Sequence, residues 1–256
     1  MKRDSLKNWK KFGKNDPYFG VLSDEKYKKE NLTEDGLEEF FATGEVYVKE
    51  SLDRINQLTA FSLEHASVLD FGCGVGRLAI PFSKYTDKKV VGLDISAEIL
   101  EKAREHAKSF GSENIDFVLY DGEKLPNLPS FDLVNSYIVL QHIEIKRGLS
   151  LLTQLLEKVK IGGIAQIQIT HGHELPSIPY LNFYLRTKVP LYNFLYSFAK
   201  HRELIVEPVM QMNLYKTDLL KTVFSKYSST IKELKTNQIP TYLISGIFRE
   251  NQFFLK

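Results

Sequence analysis

The residues best suited to chemistry are glycines and acids placed at the ends of short apolar segments. Val68–Arg77 reads VLDFGCGVGR, in which Asp70 ends an apolar run and a glycine follows at every second position, at Gly72, Gly74 and Gly76. Glycine permits a positive φ in a tight turn and places no Cβ between the backbone and a ligand. The dinucleotide-binding pattern G-x-G-x-x-G/A does not fit, because Arg77 stands at its third glycine. The spacing is instead D-x-G-x-G-x-G.

Three more polar residues have a similar place further along the chain. Asp94 ends the run VVGLD, Asp121 follows IDFVLY, and Asn135 lies in FDLVNS. In open parallel sheets, ligands bind outside the carboxyl ends of the strands. We therefore expect Asp70 and these three residues to meet at one edge of a sheet.

The elements that would position these residues alternate between strand and helix along residues 66–170. The charged segment 97–109, for example, is preceded by the potential cap Ser96 and followed by Gly111, which indicates a helix. The apolar runs are nearly continuous, which is typical of strands buried on both faces of a parallel sheet. The predicted strands are 67–71, 89–93, 115–120, 131–135 and 164–170, and the last two are separated by a predicted helix at 148–160.

Taken together, these segments resemble the class I S-adenosylmethionine-dependent methyltransferases. The resemblance rests on the glycine loop, on VVGLDIS, IDFVLYDGEKLP and FDLVNSYIVLQHI, and on Gly162-Gly163 before the fifth strand. These motifs follow the family's order over residues 66–170, and weaker similarity continues toward the C-terminus. The resemblance implies an α/β, Rossmann-like, doubly wound sheet of seven mostly parallel strands with an antiparallel C-terminal strand. Residues 230–234 and 241–248 would supply the closing strands.

The resemblance also implies S-adenosylmethionine as the cofactor and a role for each motif residue. The glycine loop would contact the methionine portion and the ribose, and Asp94 would accept hydrogen bonds from both ribose hydroxyls. Asp121 would accept from the adenine amino group, the Gly122 N–H would reach a ring nitrogen, and Ile95 would supply an apolar face. The predicted cofactor-binding residues are Asp70, Gly72, Cys73, Gly74, Gly76, Asp94, Ile95, Asp121, Gly122 and Asn135.

Two segments outside the alternating pattern are expected to cover the site. Residues 1–60 would form a helical cap, with a helix that starts after the N-cap Thr33 and ends near Leu58. Residues 61–256 would form the cofactor-binding domain, in which 171–214 is a lid-like insertion with one or two helices. Apolar residues at helical spacing in this insertion indicate packing rather than substrate stacking: Leu191, Phe194, Leu195 and Phe198.

Histidines near the expected cleft are the candidate catalytic groups. Methyl transfer from a sulfonium needs mainly alignment and exclusion of water, and a base is required only for a hydroxyl or a protonated amine. His142 lies just after the fourth predicted strand, and His171 and His173 lie just after the fifth. His142 and His171 are therefore the candidate bases, with a purely structural role as the alternative. His-x-His on a loop is a weak metal signal and Cys73 has no histidine partner, so we predict neither a metal site nor a cysteine nucleophile.

Charge and composition narrow the range of acceptors. The charges of the 34 basic and 32 acidic residues nearly cancel, so no strong overall field attracts nucleic acid or anionic lipid. This balance does not exclude a local patch of positive charge. The Pro-Pro-aromatic segment of nucleobase amine methyltransferases is absent after Asn135. The predicted activity is methyl transfer to oxygen or nitrogen of a small organic acceptor, such as a sugar or another metabolite. An RNA or protein methyltransferase, suggested by the lysine-rich N-terminus, and a non-catalytic cofactor-binding domain are the alternatives.

The N-terminal residues, the lengths of the apolar runs and the cysteine count indicate the cellular compartment. Residues 1–10 are charged and contain no apolar core of a secretory signal, and no apolar run reaches the roughly 18 residues of a spanning helix. A single cysteine excludes an internal disulfide and fits a reducing compartment. We therefore expect a cytoplasmic protein with a small-molecule partner, without a membrane partner, and with nucleic acid disfavoured.

Overall fold

The computed structural model describes residues 5–174, 177–189, 191–202, 209–227, 231–236 and 247–255. The strands are β1 (Val68–Phe71), β2 (Val90–Asp94), β3 (Ile115–Leu119), β4 (Phe131–Ser136), β5 (Val159–Glu174), β6 (Ile231–Thr236) and β7 (Ile247–Leu255). The helices are α1 (Ser5–Asn15), α2 (Pro17–Val21), α3 (Glu34–Leu58), α4 (Ala79–Lys84), α5 (Ala97–Ser109), α6 (Ile145–Leu156), α7 (Ser177–Lys188), α8 (Tyr192–His201) and α9 (Thr217–Phe224). Two 3-10 turns lie at Glu25–Tyr27 and Leu140–His142.

Backbone hydrogen bonds join the strands in the order β3-β2-β1-β4-β5-β7-β6. Strands β3, β2, β1, β4 and β5 run parallel, and β7 runs antiparallel to both β5 and β6. The predicted α/β Rossmann-like fold with a parallel sheet is confirmed, and its parallel part comprises five strands. The strand order reverses between β1 and β4, and such a switch point opens a crevice at the carboxyl ends of the strands.

The N-terminal end of β5 differs from the prediction. The expected turn at Gly162-Gly163 is an irregularity within the strand, where Gly162 has φ +80° and the pairing register with β4 shifts. The left-handed backbone of Gly162 lets the chain bend without leaving the sheet. As a result β5 begins at Val159, and α6 ends at Leu156 rather than at residue 160.

The C-terminal end of β5 also differs from the prediction, since the strand continues to Glu174 through its antiparallel pairing with β7. His171 and His173, which were expected after the strand, therefore belong to it. The strand expected at 241–248 is shifted, because β7 begins at Ile247, and residues 241–246 lie outside the described residues.

Helices cover both faces of the sheet because neighbouring residues of a strand point to opposite sides. Val68 and Leu133 face a core shared with α3, α4 and α5, whereas Leu69 and Val134 face a core shared with α6 and α9. The long helix α3 begins as predicted, with Thr33 Oγ1 accepting a hydrogen bond from the Gly36 N–H at 3.1 Å.

The N-terminal helices lie against the carboxyl edge of the sheet. Helix α1 approaches the start of α5 so closely that a Cβ on Gly13 would lie 2.3 Å from Ser96 Oγ. Glycine at this position therefore permits the contact between the two helices. Within the described ranges, no helix combines the length and apolarity needed to cross a bilayer.

Candidate functional site

A cleft opens at the carboxyl ends of β1, β2 and β4, and with its solvent-open mouth it encloses about 790 Å³. Six of the residues predicted to bind cofactor line it: Asp70, Gly72, Cys73, Gly74, Asp94 and Ile95. Sequence reasoning did not assign several other residues of its walls, which include Trp9, Arg77, Tyr120, Tyr137, Ile138 and Val139.

Asp70 brings a buried carboxylate to the cleft. Asn135, its neighbour across β1 and β4, donates a hydrogen bond from Nδ2 to Asp70 Oδ1 at 2.8 Å. Among the described residues, no group makes a hydrogen bond to the buried Asp70 Oδ2. Burial raises the pKa of Asp70 to about 6, and the Asn135 hydrogen bond and the Arg77 guanidinium partly oppose this rise. Asp70 is thus able to accept a hydrogen bond from a cationic ligand group.

A chain of buried polar side chains lies behind Asp70. Ser51 Oγ donates to Gln166 Oε1, and Gln166 Nε2 donates to the Tyr47 hydroxyl at 2.6 Å. The Tyr47 hydroxyl in turn faces Asn135 Oδ1 at 3.5 Å, which is a weak hydrogen bond. Each donor points toward the next group, so helix α3 and strand β5 together orient the amide that holds Asp70.

Asp94 connects the glycine loop to the start of α5. Its Oδ2 accepts the Gly74 N–H at 3.1 Å and its Oδ1 accepts the Ser96 N–H at 3.0 Å. Burial raises the pKa of Asp94, while these backbone N–H groups counteract the rise. A carboxylate oxygen has two lone pairs, so each oxygen of Asp94 can still accept a further hydrogen bond from a ligand.

The glycine loop has the backbone that its sequence requires, with φ of +73° at Gly72, +55° at Gly74 and +88° at Gly76. Gly76 faces Ile80 and lies outside the cleft walls, because it serves the packing of the loop against α4. Cys73 lines the cleft but is buried, and burial raises the pKa of its thiol well above the usual value. A protonated thiol is a poor nucleophile, in agreement with the sequence-based interpretation.

Asp121 lies away from the cleft in this structure. The side chain is exposed, and its Oδ1 accepts the backbone N–H groups of Glu123 at 2.7 Å and Lys124 at 2.8 Å. These hydrogen bonds to the ionised form lower the pKa of Asp121. Gly122 is covered by Leu6 of α1, because a Cβ on Gly122 would lie 2.4 Å from Leu6 Cδ2.

Aliphatic side chains also stand over the glycine loop. A Cβ on Gly72 would meet Val139 Cγ2 at 2.4 Å, and a Cβ on Gly74 would meet Val21 Cγ2 at 2.4 Å. The exposed loop backbone expected from the sequence is therefore partly covered, with Val21 contributed by the N-terminal segment. That packing was not predictable from local sequence, because the contacting residues are far apart in the chain.

Arg77, which the sequence analysis noted only as a mismatch to the dinucleotide pattern, is buried in the cleft wall. Its Nη1 donates to Thr43 Oγ1 at 3.2 Å, and its guanidinium lies 5.7 Å from the ring centre of Tyr137. Burial lowers the pKa of Arg77, which remains charged at neutral pH. Arg77 therefore supplies a fixed positive charge beside Asp70.

His142 is a buried, neutral histidine in the cleft wall. Its Nδ1 lies 2.7 Å from the carbonyl oxygen of Gln211, and a carbonyl only accepts, so Nδ1 carries the proton. Burial lowers the pKa of His142 to about 4, and Nε2 keeps its lone pair. Trp9 of α1 packs against this ring at 4.9 Å between centroids. The side chains of His171 and His173 lie outside the described part of the structure.

In the described ranges, no three His, Cys, Asp or Glu side chains are grouped to hold a metal ion. The acids of the cleft are instead hydrogen-bonded to amides, from the Asn135 side chain and from the backbone of Gly74 and Ser96.

Comparison with known proteins connects this geometry to a family. Residues 68–163 match a family model described as a methyltransferase domain. That interval contains β1 to β4, α4 to α6 and the start of β5, together with the glycine loop and Asp94. Over residues 68–163 the chain is therefore similar to a methyltransferase domain, and the resemblance noted from the motifs is confirmed for that segment.

Curated relatives of the domain differ in their acceptors. A ribosomal protein L11 methyltransferase of Pseudomonas fluorescens is 34% identical over 102 residues, which cover 40% of this chain and 35% of that protein. A mitochondrial ubiquinone biosynthesis O-methyltransferase of Candida albicans is 30% identical over 100 residues, covering 38% and 30%. The match spans about a third of the length of these relatives.

Solved structures share the methyltransferase domain's fold over a longer stretch. The magnesium protoporphyrin IX methyltransferase of Synechocystis PCC 6803 with bound S-adenosylmethionine has a TM-score of 0.60 and 14% identity, covering 99% of this chain and 98% of that one. TehB of Haemophilus influenzae has a TM-score of 0.54 and 15% identity, covering 81% and 62%. The fold therefore extends beyond the segment recognised from sequence.

Proposed function

We propose that the chain binds S-adenosylmethionine in the cleft and transfers its methyl group to oxygen or nitrogen of a small organic acceptor. The observation that supports this most directly is Asp70, which lines the cleft beside the glycine loop and whose buried Oδ2 has no hydrogen-bond partner among the described residues. An unsatisfied buried carboxylate oxygen is costly unless a ligand supplies a donor. The cofactor's α-ammonium group would be such a donor.

The proposed cofactor-binding residues act by holding and orienting. Asp94 accepts the ribose hydroxyls, and Ile95 provides an apolar surface for the adenine. The backbone of Gly72 and Gly74 borders the methionine portion, while Asn135 keeps Asp70 in place from behind. When bound, the cofactor supplies an activated methyl group on a sulfonium, so the chain mainly has to align the acceptor and exclude water.

The proposed adenine contacts require a rearrangement of the N-terminal segment. For Gly122 to reach an adenine ring, Leu6 must leave it, and Asp121 must release the backbone N–H groups that it now accepts. We assign residues 1–60 as a cap that closes over the cofactor and residues 61–256 as the cofactor-binding domain, with 171–214 as an insertion beside the acceptor.

His142 is the proposed group that orients the acceptor or accepts its proton. The Gln211 carbonyl fixes the tautomer, so Nε2 is available as an acceptor at neutral pH. A base with a pKa of about 4 removes protons weakly, which suits orientation of a hydroxyl or an amine that loses its proton late in the transfer. His171 remains a second proposed base, at the carboxyl end of the sheet.

Cleft walls of aromatic and aliphatic side chains support a small organic acceptor, such as a sugar or another metabolite. Trp9, Tyr137 and Ile143 are among these side chains. The relative that acts on a ribosomal protein makes a protein acceptor the second candidate. A methyl-transfer assay with radiolabelled donor on a metabolite panel and on ribosomal protein extract would separate the two.

Cofactor binding can be tested without knowing the acceptor. Trp9 is the single tryptophan and lines the cleft, so its fluorescence reports occupancy directly. We expect S-adenosylhomocysteine to change the emission with a saturable dependence, and calorimetry to give the same dissociation constant. Absence of binding in both measurements at millimolar ligand would refute the proposed function.

A further inference from the structure

The helical hairpin formed by α7 and α8 has an unusual distribution of polar and apolar residues. In α8 the buried positions include the polar residues Asn193 and Ser197, whereas Leu195 and Phe198 are 60% and 46% exposed. Leu191, immediately before α8, is 73% exposed and continues the same stripe at i, i+4 and i+7. The sequence-based expectation that Leu191, Leu195 and Phe198 pack inward is therefore wrong.

Helix α7 carries a second exposed stripe. Leu181 and Tyr184 are three residues apart and are 54% and 47% exposed. The two helices are linked by Arg186, whose Nε donates to Asn193 Oδ1 at 2.8 Å and whose guanidinium lies 4.4 Å from the ring centre of Tyr196. Polar interactions thus link the two helices, while Leu181, Tyr184, Leu195 and Phe198 face outward.

The charged side chains of the α7–α8 hairpin are all positive. Between residues 177 and 202 the sequence contains no acid and four bases, Arg186, Lys188, Lys200 and Arg202. Lys188, Lys200 and Arg202 are exposed. The total charge of the chain is nearly neutral, so this local excess of positive charge is not visible in the overall composition.

We propose that the α7–α8 hairpin binds the surface of an anionic lipid bilayer. Exposed leucine and aromatic side chains flanked by lysine and arginine are the pattern of helices that lie in the membrane interface. A second copy of this chain fits less well, because self-association through this surface would bring the exposed, positively charged Lys188 and Arg202 of both copies together. This inference concerns surface binding, replaces the expectation of no membrane partner, and does not depend on methyl transfer.

The position of the hairpin links it to the cleft. Helix α7 begins three residues after the end of β5, at the carboxyl edge of the parallel strands where the cleft opens. Binding through the hairpin would therefore hold that edge of the sheet close to the lipid.

Co-sedimentation of the full chain with lipid vesicles tests the proposal. We expect binding to phosphatidylcholine vesicles that contain about one third phosphatidylglycerol, and at least about tenfold weaker binding to pure phosphatidylcholine. Raising NaCl from about 0.05 M to about 0.5 M should weaken binding strongly. No sedimentation with either vesicle, or equal sedimentation with both, would overturn the proposal.

Two variants separate the apolar and the electrostatic contributions. Leu195→Glu should lower vesicle affinity at least about tenfold, because it places a charge in the apolar stripe. Ile161→Glu, at an exposed position of β5, is the matched control and should leave the affinity unchanged. Lys188→Glu/Arg202→Glu, matched with Lys49→Glu/Lys146→Glu, should lower the affinity as Leu195→Glu does while leaving the apolar stripes intact. Equal binding by all four variants would contradict a role of the hairpin.

Folding and self-association are controlled in the same preparations. All the substituted side chains are exposed, so we expect unchanged circular dichroism and thermal midpoints. If Leu195→Glu fails to fold, the charge-reversal pair decides. A vesicle-independent dimer that Leu195→Glu dissociates would assign the surface to a second copy and overturn the proposal. Binding of S-adenosylhomocysteine by calorimetry separately tests the proposed function.

Discussion

The Asn135 side-chain amide donates a hydrogen bond to Asp70 Oδ1 at 2.8 Å, across two adjacent parallel strands. This contact occupies Oδ1, whereas the buried Oδ2 has no hydrogen-bond partner among the described residues. Because Asn135 is itself held by Tyr47 and Gln166, the orientation of Asp70 depends on residues from four separate elements.

Asp70→Asn is expected to stabilise the fold at neutral pH while weakening cofactor binding. The folded pKa of about 6 exceeds the unfolded value of about 3.9, so the folded state binds more protons between these values and stability falls as pH rises through this window. Replacing the titrating carboxyl group should raise the free energy of unfolding by roughly 1–3 kcal/mol at pH 7 and should leave it unchanged below about pH 4. Urea unfolding at both pH values, with exposed Asp53→Asn as control, measures this. A variant less stable than the wild type at pH 7 would contradict it.

Asn135→Leu should destabilise the protein by about 1–3 kcal/mol, because it removes the hydrogen-bond donor to the buried Asp70 and the acceptor for the Tyr47 hydroxyl. The pKa of Asp70 should rise further once the donor is lost. Equilibrium unfolding across pH measures both effects, and Asn56→Leu, at an exposed position of α3, is the matched control. Equal stability of the two variants would show that the polar chain does not hold Asp70.

Asp94→Ala should weaken S-adenosylhomocysteine binding by about 2–3 kcal/mol, since it removes acceptors for the ribose and the support of the Gly74 N–H. Calorimetric titration gives the dissociation constant, with exposed Asp53→Ala as the control. Stability is measured in parallel, because the Ser96 N–H also loses its acceptor. A dissociation constant within twofold of the wild type would exclude Asp94 from the binding site.

His142→Gln should remove a pH dependence of stability. The folded pKa of about 4 lies below the unfolded value of about 6.5, so the unfolded state binds more protons in this window and stability falls as pH falls. The wild type should lose roughly 2–3 kcal/mol from this group between pH 7 and pH 4, opposite in sign to the Asp70 effect. Unfolding curves of this variant and of exposed His65→Gln test the assignment. An unchanged profile in His142→Gln would refute it.

Leu6→Ala should increase the apparent affinity for S-adenosylhomocysteine about threefold or more, because less of the closed state competes with the adenine at Gly122. Trp9 fluorescence titration and stopped-flow mixing measure affinity and association rate. Val46→Ala, at an exposed position of α3, is the control. Weaker binding in Leu6→Ala would mean that Leu6 contacts the ligand rather than blocking it.

The sequence by itself determined the parts of the protein that depend on short-range rules. Alternating strand and helix signals predicted the parallel sheet, and the D-x-G-x-G-x-G spacing predicted a loop with positive φ at its three glycines. Asp70 and Asp94 were placed at the cleft because both end parallel strands, and such ends meet at one edge. The Thr33 cap and the start of α3 followed from local hydrogen bonding, which involves only neighbouring residues.

Tertiary structure alone decided what covers those elements and which way their side chains point. Asp121 ends a segment of the same kind as Asp94, yet local backbone N–H groups hold it outside the cleft. Leu6 and Val21 cover the glycines through contacts that no local pattern encodes. Burial lowers the pKa of His142 and so keeps the ring neutral, and the fold places Arg77 in the cleft wall. Leu195 faces outward, although its spacing suggested packing. Apart from the local turn at Asp121, these outcomes depend on contacts between residues far apart in the chain, which periodicity and motif spacing do not specify.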